Sequence, residues 1–118
     1  MLWELGALSG HIVKMVAIAR PLSRAVEIVI AARDPVAMRQ FAPDLDARLL
    51  AAPCARAVRP GPAGDRGRSY ADMMRHCGWH NAETLAALLG SWRALFDLVA
   101  PDMIVGQAAP TGLLAARG

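Results

Sequence analysis

Met1-Leu2-Trp3-Glu4-Leu5-Gly6-Ala7-Leu8-Ser9-Gly10-His11, read together with the apolar run Ile28-Val29-Ile30-Ala31 further on, decides the fold. A short apolar segment enters a glycine-rich turn, the turn opens a helix, and the helix returns to a second apolar segment. Ile12, Met15, Val16, Ala19 and Leu22 recur at the spacing that places them on one helix face, and Pro21 with Ser23 bends or ends that helix. Residues 27–32 read as the second strand, because an apolar run without alternation suits a parallel strand covered on both faces. In that arrangement the turn lies at the carboxyl end of the first strand, where open parallel sheets place their ligands.

The same reading extends outward. Asp34 is a helix cap with Pro35 at the first helical position, and the helix it opens runs to about Phe41. Leu49-Leu50-Ala51-Ala52 is a third, short strand closed by Pro53. Glycine, proline and arginine dominate residues 56–68, which read as a mobile surface loop. Ser69 and Asp72 have capping-box spacing for a short helix that Gly78 should stop. Asn81 caps a longer helix whose Leu85, Leu88, Leu89, Trp92, Leu95, Phe96 and Val99 share one stripe. Pro101 ends it, Asp102-Met103-Ile104-Val105 is strand-like, and Pro110 starts a last helix. The expected fold class is α/β: three layers, α/β/α, around a mostly parallel sheet of about four strands.

With 118 residues there is room for one domain, residues 1–118, and not for two of full size. The 55% hydrophobic content with only 5% aromatics predicts an aliphatic core and argues against disorder of the whole chain. Net charge is +3, carried by scattered arginines with Lys14 as the only lysine, so no basic stripe points to nucleic acid. Cys54 and Cys77 belong to no C-x-x-C pair and suit a reducing, cytoplasmic setting. Glu4 interrupts the opening residues, so they do not read as a signal peptide, and no apolar run approaches the roughly 20 residues a membrane span needs.

Gly6-x-x-x-Gly10-His11 offers glycines that permit positive φ and close backbone approach, ahead of helix amides aimed at whatever lies above. Anionic or hydroxyl-rich ligands suit such a turn; a purely structural turn is the plainer alternative. The spacing is neither the dinucleotide G-x-G-x-x-G nor the phosphate loop, whose lysine position is held by Ile12. His11, in the first helical turn, is either a general base or a histidine packed to satisfy the turn. Gly106 to Ala109 forms a second turn at a strand's carboxyl end. His76-Cys77-Gly78-Trp79-His80 places three ligand-type side chains in five residues, but a helix end at Gly78 breaks the i, i+4 geometry, so no metal is expected. Asp72 with Asp97, and Asp44 with Asp46, are better explained as caps and solvated carboxylates than as acid/base pairs.

Leu2-Trp3-Glu4-Leu5-Gly6 with Gly10-His11, Ser69-Tyr70-Ala71-Asp72, Cys77-Gly78-Trp79, Trp92-Arg93-Ala94-Leu95 and Pro101-Asp102-Met103-Ile104-Val105 together resemble the amino-terminal half of bacterial glycosyltransferases of the GT-B fold, in the UDP-glycosyltransferase-like group. The resemblance covers nearly the whole chain. It implies a Rossmann-like domain that binds the acceptor, facing a second domain that holds the nucleotide sugar. It makes His11 the candidate base that deprotonates an acceptor hydroxyl, and Gly6, Ser9, Gly10, Gly106 and Gln107 the cleft-lining residues. No cofactor or metal is implied, and a UDP-sugar is a partner only where a donor domain is supplied.

Three departures stand out. Relatives carry an aspartate, often within Ala-Asp-His, where this chain has Gly106-Gln107-Ala108, so the group that orients the histidine lacks a charge. Relatives favour Arg-Gly-His before the second strand where this chain has Arg24-Ala25-Val26, giving up a glycine suited to a left-handed helix end at a cost of roughly 1 kcal/mol. The donor domain is absent, so the chain reads as an incomplete domain, a truncated amino-terminal piece inactive alone. The alternative is a non-catalytic interaction module that docks a separate donor-domain or membrane-anchored subunit. A small dinucleotide oxidoreductase is a weaker third reading, since only Asp34 is near the place of a ribose-binding acid. The expected location is cytoplasmic, with peripheral contact to the inner membrane.

Overall fold

A computed structural model describes residues 1–6, 9–55 and 69–118; Ala7, Leu8 and the loop expected over residues 56–68 lie outside it. Three parallel strands, β1 (Leu2–Trp3), β2 (Val29–Ala32) and β3 (Arg48–Ala51), lie side by side in that order. Leu2 pairs with Ala31, and Val29 with Arg48. The helices are α1 (Ser9–Leu22), α2 (Pro35–Phe41), α3 (Tyr70–Met74), α4 (Ala82–Val99) and α5 (Pro110–Ala115), with a π-helical turn over Arg75–Trp79 after α3.

Alternation along the strands divides the core between two faces. Trp3, Ile30 and Ala32 pack with Ile12, Met15, Val16 and Ala19 of α1 and Met38 of α2. Leu2 and Ala31 point the other way, onto Trp92 of α4 and Ala109 and Ala115 around α5. A sheet buried on both faces explains why β2 reads as an apolar run. Leu22, expected on the α1 stripe, is instead exposed: Pro21 lies inside the last turn, and the chain is already leaving the sheet.

The caps account for the helix starts. The Asp34 carboxylate accepts from Ala37 N at 2.8 Å, and the Asn81 side chain accepts from Thr84 N at 2.8 Å. Ser69 and Asp72 form the reciprocal capping box. Gly78, at φ +96°, turns the chain out of the π-helical segment. The penalty expected at Ala25 does not arise. Ala25 N and Val26 N both donate to the Leu22 carbonyl, and the positive-φ residues other than glycine among those described are Ala100 and Ala108.

The sheet has three strands, not four. The expected fourth, around Ile104, meets β1 through one parallel bridge, Leu2 to Gly106, with Leu2 N donating to Val105 O and Gln107 N to Leu2 O, both at 2.8 Å. β1 pairs with β2 at both of its residues but meets this segment at Leu2 alone, so no ladder forms on that side. The spatial order is still β3, β2, β1 and then the Ile104–Gly106 segment. The chain therefore departs from β1 to both sides, and the carboxyl end of β1 is the topological switch point of the sheet.

Candidate functional site

Three segments meet at the carboxyl end of β1: Glu4-Leu5-Gly6, the start of α1, and Gln107-Ala108. The Ala108 carbonyl accepts from both Glu4 N, at 3.3 Å, and Leu5 N, at 2.8 Å. Holding that carbonyl in place puts Ala108 at φ +51°, a left-handed conformation costly for a residue with a Cβ.

His11 is half-buried and joins these segments. Its ring stacks on the buried Trp3 indole, centroids 5.9 Å apart and planes 21° from parallel. Its Nδ1–H donates to Gln107 Oε1 at 2.5 Å. An amide oxygen can only accept, so Nδ1 carries the hydrogen and Nε2 is left as the ring's basic nitrogen. Gly6, at φ +84°, lies against that nitrogen: a Cβ there would stand 2.5 Å from His11 Nε2. Gly6 is thus required by its backbone angle and by the imidazole above it.

The remaining expected site residues divide. Ser9 and Gly10 are exposed at the start of α1, and a Cβ on Gly10 would meet nothing within 4 Å. Gly10 has no positive φ, so the expectation that it supplies special backbone geometry is not met; it leaves open space beside His11. Gly106 lies under Leu113, whose side chain is 2.7 Å from where a Cβ would be. His76 Nδ1–H donates to Asp72 O and His80 Nδ1–H to Arg75 O, so the two histidines point at separate backbone carbonyls. Among the described residues no three histidine, cysteine, aspartate or glutamate side chains gather as a metal site.

Glu4 was the residue the pattern did not single out. It is 1% exposed, and its Oε2 accepts from Thr111 N at 2.9 Å and Gly112 N at 3.3 Å, so its carboxylate caps α5. Burial pushes its pKa up, against the hydrogen bonds from Thr111 and Gly112 and the pull of Arg33. Trp79 Nε1 donates to Thr111 Oγ1 at 3.1 Å, and Arg33 Nη1 donates to the Glu4 carbonyl at 3.1 Å. The only signal in the sequence was a charge inside the apolar opening segment Met1–Leu5. Tyr70 faces the same region: its phenol is pushed up by burial and then by the charges of Glu4 and Cys77.

Two surface hollows lie elsewhere. One, lined by Ser23, Val26, Glu27, Asp46 and Arg48, is at the amino ends of β2 and β3. The other is an apolar groove lined by Trp79, Ile104, Pro110, Leu113 and Leu114. No protein-family model, curated protein or solved structure matches this chain. Among the described residues no helix is long and apolar enough to cross a membrane.

Proposed function

We propose that this chain is the acceptor-side, Rossmann-like half of a GT-B glycosyltransferase, transferring a sugar from a UDP-type donor to a hydroxyl acceptor with His11 as general base. The observation that carries the reading is the His11–Gln107 pair, which joins the first helical turn to the turn beyond the neighbouring segment at the sheet's switch point. Gln107 holds the ring through Nδ1 and leaves Nε2 to take the proton as the hydroxyl attacks the anomeric carbon. The diphosphate departs on the opposite wall, which a second domain supplies. The amino end of α5 supports the acceptor assignment: Glu4 already occupies its amides, so that helix end is closed to a phosphate.

The experiment joins this chain to a nucleotide-sugar-binding half and measures UDP release from a UDP-sugar in the presence of small hydroxyl acceptors. Turnover is expected, with a loss of about 100-fold or more in His11→Ala, the usual scale of a missing general base. A joined protein that neither binds nor turns over a UDP-sugar ends the enzymatic reading.

The interaction-module reading rests on a separate observation. Among the described residues no strand lies beyond the Ile104–Gly106 segment, and Leu98 and Met103 are 76% and 78% exposed. A stable one-to-one complex with a separately expressed donor domain, without turnover, favours the module.

A further inference from the structure

Glu4 grips the turn that carries Gln107 from two sides. Its backbone N–H donates to the Ala108 carbonyl at 3.3 Å, and its carboxylate Oε2 accepts from Thr111 N at 2.9 Å and Gly112 N at 3.3 Å. Ala109, the N-cap of α5, has no side-chain acceptor for those amides, so a carboxylate 107 and 108 positions away in the chain takes the place of a local cap. Thr111 is held a second time, its Oγ1 accepting from Trp79 Nε1 at 3.1 Å.

The junction has no slack. Glu4 is 1% and Thr111 0% exposed, and Gly112 is buried. A Cβ on Gly112 would lie 2.9 Å from Leu2 Cδ1 and 3.2 Å from Trp92 Cε2, so α5 meets β1 and α4 at a distance that glycine alone allows. Water therefore cannot replace the carboxylate unless α5 moves, and two buried amides left without an acceptor are costly enough to move it.

Gln107 and Thr111 are separated by Ala108, Ala109 and Pro110. Ala108 is at φ +51°, a conformation that a residue with a Cβ keeps only where its surroundings over-determine it. The two donors on its carbonyl hold one side of it, and the Glu4 carboxylate, through Thr111 and Gly112, holds the other. Once α5 shifts, Ala108 relaxes to negative φ, which turns the 107–108 peptide and draws the Gln107 side chain away from His11 Nδ1. Among the described residues the imidazole makes its one hydrogen bond to Gln107, so nothing else fixes which ring nitrogen bears the hydrogen.

We propose that Glu4 is the positioning residue of the His11–Gln107 pair: by fixing the start of α5, its carboxylate keeps Gln107 where it holds the imidazole hydrogen on Nδ1. The consequence for catalysis rests on the reading of His11 as the base, whereas the tautomer is set whether or not the chain acts on sugars. The two amides need an acceptor oxygen, so Glu4→Gln preserves the arrangement and Glu4→Ala abolishes it.

The test reads the imidazole nitrogens of the isotope-labelled intact chain by nuclear magnetic resonance at pH 8, where imidazoles are neutral, with His11 assigned by its loss in His11→Gln. Wild type and Glu4→Gln are expected to show a protonated Nδ1 and a bare Nε2. In Glu4→Ala both His11 signals should move to the average of the two tautomers. Asn81→Ala removes the cap of α4 and leaves the Glu4 junction intact, so it should keep the wild-type pattern and separate positioning from general loss of stability. A folded Glu4→Ala with the wild-type pattern overturns the proposal, as does a Glu4→Gln or an Asn81→Ala that loses the pattern as fully as alanine at position 4. Hydrogen exchange of the wild type decides the matter if Glu4→Ala unfolds. Leu5 N–H, bound to the Ala108 carbonyl, is expected to open together with the Thr111 and Gly112 amides, and helix amides that open well before Leu5 would overturn the proposal. A ring that responds to Glu4 as described, in a joined protein without turnover, sinks the glycosyltransferase reading alone.

Discussion

His11 and Gln107 are separated by 96 positions in the chain and meet through one hydrogen bond, and Gly6 sets how closely the ring can lie on the backbone. Gly6→Ala adds a carbon 2.5 Å from His11 Nε2 at φ +84°, so the ring must move and the backbone is strained. We expect a loss of about 1–2 kcal/mol from the left-handed backbone alone, read from the urea midpoint. The His11 ring resonances should shift in the same variant. An unchanged midpoint with an unshifted ring would mean that Gly6 carries no constraint.

Glu4 makes a second prediction at this scale. Its folded pKa lies above its ordinary value, chiefly through burial, so between those two values the native state holds a proton that the unfolded chain has lost. The stability this contributes is present in full below the ordinary carboxylate range and is lost as pH rises through the folded pKa. Glu4→Gln cannot titrate. The difference in urea midpoint, wild type minus variant, should therefore fall as pH rises from 4 toward 7; parallel curves would contradict the assigned shift.

At the scale of elements, the starts of α2, α3 and α4 follow from their caps, while one helix end is less well matched. α4 ends at Ala100, which adopts φ 46° and ψ 58°, a left-handed position where glycine is normally found. Ala100→Gly removes the Cβ clash there and should raise stability by about 1 kcal/mol, seen as a higher melting temperature with no change in helix content. The same reasoning explains a failed expectation. Ala25 was expected to suffer for lack of a glycine, but α1 closes through the Leu22 carbonyl without a left-handed residue. The fourth strand was also legible only in part: its apolar residues were evident, but the segment meets β1 through a single bridge.

The described residues form a parallel sheet with a core on both faces. Leu98, near the end of α4, and Met103, just before Ile104, are both more than three-quarters exposed. Replacing both with lysine should reduce concentration-dependent association in sedimentation velocity and leave the unfolding midpoint within about 0.5 kcal/mol, as expected for surface positions. Association that persists in the double variant would place the sticky surface elsewhere.

Local chemistry made most elements readable from the chain: the Asp34-Pro35 start, the Ser69 capping box, the Asn81 cap, the stripe through Trp92, and the β-turn-α-β opening all act within a few residues of themselves. The candidate site was readable as a location, the turn at Gly6 to His11, because parallel strands ending in such turns place ligands there. Its wiring was not. The His11–Gln107 bond and the Glu4 cap on α5 join residues far apart in sequence, and each depends on how the helices settle against the sheet. Periodicity and caps act along the chain, so the sequence by itself determined which segments form and where the candidate site lies. Contacts across the sheet depend on register and packing, so only the tertiary structure decided which side chains face one another within it.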